Sequence, residues 1–335
     1  MNPIIKIDDM AFPILQVPDL DQQETFLLDF GMTRAHRTQD RLYMRGAGAQ
    51  PYIHVSTLGP KKFLGSAFHA CSMQDLEILA GSDAFGPVEA ITSPGGGYRT
   101  SSTDPNGLEV HVVFGIEQSE QDAELPVPEF NVGGEERENF QRINKIKRFN
   151  KGSFPRIKRY AHCGLNVLDM EESLSWYHMH LGIIASDRLK PGGEGGPLLG
   201  IFSRCDRGAQ PADHHSIFFL PAEMQSKGNP GLNHVSYEMV NIDDVFMGHE
   251  ILRKKGYEHE WGIGRHYQGS QIFDYWRSPF GHIHEHQTDG DVFDNTVPPQ
   301  IVDVMQDGDP NHPEMGPSQW GPAINMETFG DERGL

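Results

Sequence analysis

Cysteine is scarce in this chain of 335 residues. Its three cysteines, Cys71, Cys163 and Cys205, lie far apart and form no CxxC pair. This distribution excludes a disulfide scaffold and a cysteine-ligated zinc site, and it favours free thiols in a reducing compartment. We therefore expect the protein to be cytoplasmic.

Long apolar runs are missing and basic residues are outnumbered. No run of about 18 apolar residues occurs, and the start, MNPIIKIDDMAFP, lacks a basic segment followed by an apolar one. We expect neither a membrane span nor a signal peptide. The 28 Lys and Arg against 47 Asp and Glu leave a net charge of −19. This charge argues against nucleic-acid and membrane partners, because both bind positive surfaces.

Histidine, in contrast, is abundant. The chain has 17 histidines, about 5% of its residues. Imidazole binds metal ions and exchanges protons near neutral pH. The histidine content is thus the first indication of a metal or acid–base site.

Segments of the chain repeat one another. AFPILQVPDLDQQETFLLDFGM aligns with AHCGLNVLDMEESLSWYHMHLGI, and DPNGLEVHVVFG aligns with SPFGHIHEHQTDG. The aligned pairs include Asp19 with Asp169, Phe12 with His162, and His111 with Glu285. Each repeat contains a strand pattern, an amphipathic helix pattern and further strand patterns. Repeats of this kind indicate duplicated supersecondary units.

Four units occur, near residues 8–58, 62–116, 158–222 and 230–290. The polar segment between the pairs has Pro and Gly at its edges and reads as a linker or covering segment. The predicted divisions are an N-terminal domain at 1–120, the linker at 121–157, a C-terminal catalytic domain at 158–290 and an extended tail at 291–335.

The last repeat predicts a β-hairpin closed by PFG, with Gly281 in the left-handed position. This register pairs Tyr275 with Glu285. Because strand side chains alternate between faces, Glu285 shares its face with Tyr275 and Ile283. A buried carboxylate must be protonated, hydrogen-bonded or bound to a metal. The opposite face, expected to be solvated or packed under a helix, carries His282, His284 and His286.

Two further histidines begin strand-like apolar runs, in RYAHCGLNV and GLNHVSYEM. His162 and His234 are separated by 72 residues, and Glu285 follows after another 51. Two histidines and one carboxylate on one face form the facial triad that leaves open positions on Fe(II). A structural zinc site would need a fourth ligand. We expect one metal per chain, because the first-half equivalents, Phe12, Ser66 and His111, cannot hold a metal.

The triad and the segment GRHYQGSQIFDYWRSPFGHIHE resemble the type I extradiol ring-cleavage dioxygenases of the vicinal oxygen chelate superfamily, such as catechol 2,3-dioxygenase and dihydroxybiphenyl dioxygenase. In that family a GRH motif precedes a tyrosine by nine residues and the glutamate ligand by nineteen. Here His266 precedes Tyr275 by nine residues and Glu285 by nineteen. The resemblance covers about residues 5–290.

The resemblance implies an α+β fold of four βαβββ modules in two tandem domains, each an open β-barrel of paired modules, with no metal site in the first domain. It implies Fe(II), or less readily Mn(II), with O2 as co-substrate, on His162, His234 and Glu285. It also implies a homo-oligomer.

The resemblance further assigns catalytic roles. In DHHSIFFLPAEM, His215 matches the acid/base of the family, with His214 as the alternative. His266 and Tyr275 would hydrogen-bond substrate oxygens. The residues expected at the substrate pocket are Gly164, Phe273, Ile283 and His214. For Gly164, close approach of a ligand or backbone and a β-bulge are equal alternatives.

The implied function is cleavage of a catechol-type aromatic ring, with insertion of O2, to a ring-opened semialdehyde or keto acid in aromatic compound degradation. The motif has no cluster of basic residues, which favours a neutral catechol, although Arg207 and Arg265 keep a charged one open. The alternatives are another enzyme of the superfamily, either a hydroxyphenylpyruvate dioxygenase-like oxygenase or a glyoxalase-like lyase or isomerase, and a metal-free binding protein.

Overall fold

The computed structural model describes residues 2–119, 129–146, 154–303, 318–325 and 329. The strands of the first half are β1 (Ile7–Val17), β2 (Thr33–Arg37), β3 (Arg41–Arg45), β4 (His54–Leu58), β5 (Lys62–Ala70), β6 (Glu89–Ala90), β7 (Tyr98–Thr103) and β8 (Glu109–Phe114). Those of the second half are β9 (Ile157–Val167), β10 (Ile183–Leu189), β11 (Gly200–Cys205), β12 (Ala212–Asp213), β13 (Ile217–Pro221), β14 (Gly231–Met239), β15 (His259–His266), β16 (Ile272–Arg277), β17 (Ile283–Thr288), β18 (Val292–Phe293), β19 (Gln300–Val302) and β20 (Ser318–Trp320).

The α-helices are α1 (Leu20–Asp29), α2 (Met73–Ala80), α3 (Met170–Leu181), α4 (Ala222–Gln225) and α5 (Ile242–Lys255). Short 3₁₀ turns occur at Arg137–Asn139 and Gly193–Gly195. In the described part of the chain, no helix combines the length and apolar character needed to cross a membrane.

Four βαβββ modules follow one another along the chain, as predicted. They begin at β1, β5, β9 and β14, and their helices are α1, α2, α3 and α5. The first two modules share an eight-stranded sheet, with order β2-β3-β4-β1-β5-β8-β7-β6. The last two share a ten-stranded sheet, with order β19-β10-β11-β13-β9-β14-β17-β16-β15-β20. The α+β vicinal oxygen chelate fold is therefore confirmed.

The modules of each half meet in the middle of their sheet. The first strands of the two modules pair antiparallel, β1 with β5 and β9 with β14. Each first strand also pairs in parallel with the last strand of its own module, as β5 does with β8 and β14 with β17. Three strands, β9, β14 and β17, are thereby adjacent in the second sheet.

The helices begin at the positions that the repeat indicates. Asp19 caps α1 by accepting hydrogen bonds from the N–H groups of Asp21 and Gln22, and Asp169 caps α3 by accepting from that of Glu172. These side-chain acceptors satisfy N–H groups that have no partner within the helix. The aligned aspartates are thus equivalent structural positions.

The predicted hairpin is present in the predicted register. Tyr275 lies opposite Glu285 in the β16–β17 pair, and Gly281 has φ of 88°. The face that carries His282, His284 and His286 is fully buried. It packs against α1 of the first half, where His286 stacks on Phe30 at a centroid distance of 3.8 Å. The helix-packed alternative is confirmed and the solvated one is wrong.

The segments outside the modules are described in part. Of the predicted linker, residues 121–128 and 147–153 lie outside the described residues, and its last residue already begins β9. Of the predicted tail, residues 304–317, 326–328 and 330–335 lie outside them. The described tail adds β19 to β10 and β20 to β15. The domain bounds stay a prediction.

Candidate metal centre

Strand register brings His162, His234 and Glu285 to one face of the second sheet. Ser236 on β14 pairs with His162 on β9 and with Glu285 on β17. His234 precedes Ser236 by two residues and therefore projects from the same face. Residues separated by 51 and 72 positions in the chain thus become neighbours.

The three side chains converge on one point. His162 Nε2 lies 3.1 Å from His234 Nε2 and 3.0 Å from Glu285 Oε2. His234 Nε2 lies 3.9 Å from the same carboxylate oxygen. All three residues are buried, and Glu285 is 0% exposed.

The electrostatics of Glu285 fit a cation. Burial raises the pKa of its carboxyl, but His162, His266 and His234 oppose this effect and hold the pKa well below its usual range. Within the described part of the chain, neither carboxylate oxygen accepts a hydrogen bond of normal geometry. Burial also lowers the pKa of His234 to about 3, so its imidazole is neutral. Two imidazoles and an ionised carboxylate are the donor set that a divalent transition metal takes.

Two neighbours orient His234. Its Nδ1 lies 2.7 Å from Asn233 Oδ1, a contact that leaves Nε2 to face the triad. A Cβ added at Gly164 would lie 2.6 Å from His234 Cε1. Gly164 therefore makes room for the imidazole. The register of β9 and β14 also shifts between Leu232 and His234, opposite this position, so the bulge alternative stays open.

His266 and Tyr275 lie beside the triad. His266 Nε2 is 2.9 Å from the Tyr275 hydroxyl and 3.5 Å from Glu285 Oε1. Burial, with a smaller contribution from Glu285, raises the pKa of Tyr275 well above its usual value. The phenol therefore stays protonated next to the point where the triad converges.

His215 lies next to His162 of the triad. Its ring is 4.2 Å from that of His162 between centroids, and it lines the cavity. His214 lies behind it, with Nδ1 3.1 Å from His215 Nδ1 and Nε2 2.9 Å from Asp187 Oδ2. The geometry thus separates the two candidates, and Asp187 is a residue that the sequence analysis did not identify.

The cavity at the triad has a volume of about 260 Å³. Its wall is predominantly apolar. The lining residues are Leu189, Leu199, Phe202, His215, Phe218, Leu220, Met224, Gln225, His234, Trp261, His266, Gln268, Tyr275, Ile324 and Phe329.

The four predicted pocket residues lie one layer behind this wall, which corrects that prediction. Gly164 contacts His234, and His214 contacts His215. Phe273 stacks on His266 at a centroid distance of 4.0 Å, and Ile283 packs in the same apolar cluster. For Ile283, strand alternation predicted the face of the sheet on which the side chain lies. It did not predict how far below the cavity wall the side chain lies.

The sequence analysis did not identify the apolar residues that line the cavity. It comes from β11, β13 and the tail, where Phe329 packs 5.0 Å from Tyr275 between ring centroids. Apolar residues on strands are ordinary core residues in a sequence. The only signal was the presence of isolated hydrophobic residues in an otherwise polar tail.

The first-half positions that correspond to the three triad residues differ from the prediction at one position. Ala67 pairs with Phe12 and with His111, just as Ser236 pairs with His162 and Glu285. The residue two positions earlier, and hence the equivalent of His234, is Gly65 rather than Ser66. Ser66 faces the other way, with Oγ 3.0 Å from the Tyr160 hydroxyl.

Comparisons with known proteins agree with this architecture. The family model of the Glyoxalase/Bleomycin resistance protein/Dioxygenase superfamily matches residues 159–285. The chain is 26% identical over 279 residues to Metapyrocatechase 2 of Cupriavidus necator, covering 83% of this chain and 79% of that protein. The Mn(II)-bound glyoxalase from Novosphingobium aromaticivorans has a TM-score of 0.73 at 22% identity, covering 97% of this chain and 94% of that one. Homoprotocatechuate 2,3-dioxygenase from Arthrobacter globiformis has a TM-score of 0.73 at 16% identity, covering 98% and 92%.

The superfamily match covers residues 159–285, a range that contains His162, His234 and Glu285. The family recognised from the GRH motif and the triad is thereby confirmed. Together with the similarity to a metapyrocatechase, these findings support an extradiol ring-cleavage dioxygenase.

Proposed function

We propose that the protein is an Fe(II)-dependent dioxygenase that cleaves the ring of a catechol-type substrate beside its vicinal hydroxyls and inserts both atoms of O2. The observation that carries this proposal is the convergence of His162, His234 and Glu285 on one buried point at the wall of an apolar cavity. A site that only stored a metal would need neither the cavity nor the adjoining acid–base groups.

The residues fit an iron ion. Fe(II) would be held by His162, His234 and Glu285, and when bound it would supply open positions for the substrate oxygens and O2. Mn(II) takes similar ligands, and metal analysis of active protein distinguishes the two metals. His234 lines the cavity, so a metal held by these residues would border it.

The chain's own side chains supply proton transfer. Burial and the neighbouring imidazoles of His162 and His214 lower the pKa of His215 well below its usual value, so it is neutral and able to accept a proton from a substrate hydroxyl. Once protonated, it can return that proton to a developing oxygen anion. The Tyr275 hydroxyl and the His266 imidazole can hydrogen-bond substrate oxygens and hold the ring in position.

The cavity favours a catechol without a charged substituent. Among the residues that the structure describes, no Arg or Lys lines the cavity. Arg207 pairs instead with Asp8, and Arg265 pairs with Asp289 at 2.8 Å. Apolar residues from β11, β13 and the tail would contact a hydrophobic ring substituent.

A test is anaerobic loading with Fe(II), followed by measurement of O2 uptake with a panel of catechols that differ in substituent charge. We expect stoichiometric O2 uptake, a yellow ring-opened product, and a preference for uncharged, apolar substituents. A His111→Ala variant, altered at the equivalent position of the first half, is the matched control and should retain activity. Failure of the iron-loaded protein to consume O2 with any catechol would overturn the proposal.

A glyoxalase-like isomerase is the second candidate, because a Mn(II)-bound glyoxalase has the same fold. Such an enzyme would convert its substrate without consuming O2. Assays of Mn(II)-loaded protein with a hemithioacetal under anaerobic conditions test this candidate. In the described part of the chain only three ligand atoms converge at the site, which favours the dioxygenase.

A further inference from the structure

A second group of metal-ligating side chains lies on the outer face of the second sheet. His249 comes from α5, His259 from β15 and Asp274 from β16. Their ligand atoms all lie within 4.8 Å of one another. Asp274 precedes Tyr275 on β16 and so points away from the cavity. The cluster is therefore separate from the site at Glu285.

The distances within the cluster are short. His259 Nε2 lies 2.8 Å from Asp274 Oδ1, and His249 Nδ1 lies 3.2 Å from both oxygens of that carboxylate. The two imidazole planes are nearly perpendicular, at 87°, with centroids 5.0 Å apart. Two ring nitrogens from different elements thus point at one carboxylate.

A neighbour orients the carboxylate. Asp274 is 0% exposed, and Trp276 Nε1 donates a hydrogen bond of 2.6 Å to its Oδ2. Fixing one oxygen leaves the other, Oδ1, directed at both imidazoles. Outer hydrogen bonds of this kind orient the ligands of metal sites.

The cluster is accessible from solvent. The side chains of His249 and His259 are 22% and 32% exposed, whereas that of Asp274 is buried. A cation could enter from the histidine side and keep a water molecule there. The buried carboxylate would supply charge neutralisation from below.

We propose that His249, His259 and Asp274 form a second divalent-metal site, suited to Zn²⁺. Ligands about 2.0–2.1 Å from a tetrahedral Zn²⁺ are roughly 3.3 Å apart, close to the separations seen here. Two imidazoles and one carboxylate, with water in the fourth position, are the ligand set of an open zinc site, as distinct from a structural site with four protein ligands. The bound ion would connect α5 to the β15–β16 hairpin and would thereby stabilise the strands that carry His266 and Tyr275.

The test is equilibrium dialysis of the full chain against Zn²⁺ alone after removal of bound metal by a chelator. His234→Ala is used as the background, because it disables the site in the cavity. This variant should bind one equivalent of Zn²⁺. Adding His259→Gln or Asp274→Asn should abolish that binding, whereas adding His36→Gln, at an exposed histidine of the first half, should not.

Thermal unfolding and absorption provide independent readouts. Zn²⁺ should raise the melting temperature of the His234→Ala protein, and the increase should vanish with His259→Gln. Co²⁺ in place of Zn²⁺ should give the visible absorption of a tetrahedral site. If the His234→Ala protein binds no Zn²⁺, or if Asp274→Asn in a folded protein leaves binding unchanged, the cluster is only a hydrogen-bonded His–Asp network. None of these results depends on dioxygenase activity.

Discussion

The two halves of the molecule use one architecture for different chemistry. In both halves, the first strand of the second module pairs with the first strand of the preceding module and with the last strand of its own module. The two pairings meet at Ala67 in the first half and at Ser236 in the second. The second half places His162, His234 and Glu285 around that point. The lesson is that the fold provides converging positions, whereas three side chains decide whether they can bind a metal.

The first half uses the same positions for packing and hydrogen bonding. Phe12 packs on Tyr52 with a centroid distance of 4.8 Å. Both ring nitrogens of His111 are engaged, by Ser101 Oγ at 2.7 Å and Glu109 Oε2 at 2.9 Å. Among the described residues of this half, no three potential ligands converge. A residue that can bind a metal, such as His111, is therefore not enough to form a metal site when the other two positions lack such residues.

Removal of a triad ligand should have the largest effect on iron content and turnover. It is the most direct test of the difference between the two halves. His234→Ala or Glu285→Gln should lose nearly all retained iron and turnover, since each leaves only two ligands. His111→Ala should keep both. The measurement is iron content after gel filtration, together with O2 uptake. Wild-type iron content in His234→Ala would show that the metal binds elsewhere.

Replacement of His215, the proposed proton acceptor, should have the second largest effect, a loss of turnover. His215→Asn should retain iron but lose roughly 10²–10⁴-fold in turnover, the usual contribution of a positioned acid/base. The loss should appear in kcat more than in KM. His214→Asn, which removes the contact with Asp187, is the matched variant and should lose less. A larger loss in His214→Asn than in His215→Asn would reverse the two roles.

The interface between the halves should matter for stability rather than for metal binding. His284 packs edge-on against Phe26 and Phe30, at centroid distances of 5.0 and 5.6 Å. His284→Ala leaves a cavity there and should lower the free energy of unfolding by about 2–4 kcal/mol. Iron content of the folded protein should not change. Urea unfolding and iron analysis of the same sample test both statements, and iron loss without destabilisation would contradict them.

Gly164 offers a finer test of the comparison, because the position that corresponds to it in the first half is Ile14. Gly164→Ala would place a methyl group against the His234 ring and displace it. We expect the affinity for Fe(II) to fall by about 10–100-fold, as for other changes that misorient a ligand. Competition with a chelator measures this affinity. An Ile14→Ala variant should bind iron normally.

The smallest effect concerns pH. Burial, with His284 and His282 nearby, lowers the pKa of His54 well below its ordinary value of 6.5. The unfolded chain therefore binds a proton near pH 6.5 that the folded chain excludes, so stability is complete above this pH and declines as the pH falls below it. The loss per histidine should be about 1 kcal/mol per pH unit. Unfolding free energies between pH 7.5 and 5 should decline less steeply in His54→Gln.

Much of the fold and of the candidate site could be predicted from local patterns. The PFG turn set the hairpin register, and alternation then placed Glu285 beside Tyr275. The repeated aspartates marked the starts of α1 and α3. Such features depend on a few adjacent residues and on backbone geometry, so they are legible without knowledge of the tertiary structure.

Other features arise only when distant segments meet. The burial of His284 depends on α1, which lies more than two hundred residues earlier in the chain. The depth of Phe273 and Ile283 below the cavity depends on Trp261 of β15 and on Ile324 and Phe329 of the tail, which pack in the same cluster. A local sequence pattern predicts the direction in which a side chain points. It does not predict which residues from other parts of the chain cover that side chain.

The amino-acid sequence by itself therefore determined the module architecture, the register of the last hairpin and the candidate ligands, because alternation and turn chemistry act within a few residues. Only the tertiary structure showed that His215 lines the cavity with His214 behind it, that His214 contacts Asp187, and that His249 groups with His259 and Asp274. Each of these depends on ångström-scale distances between separate elements. Packing sets those distances, and no spacing along the chain encodes them.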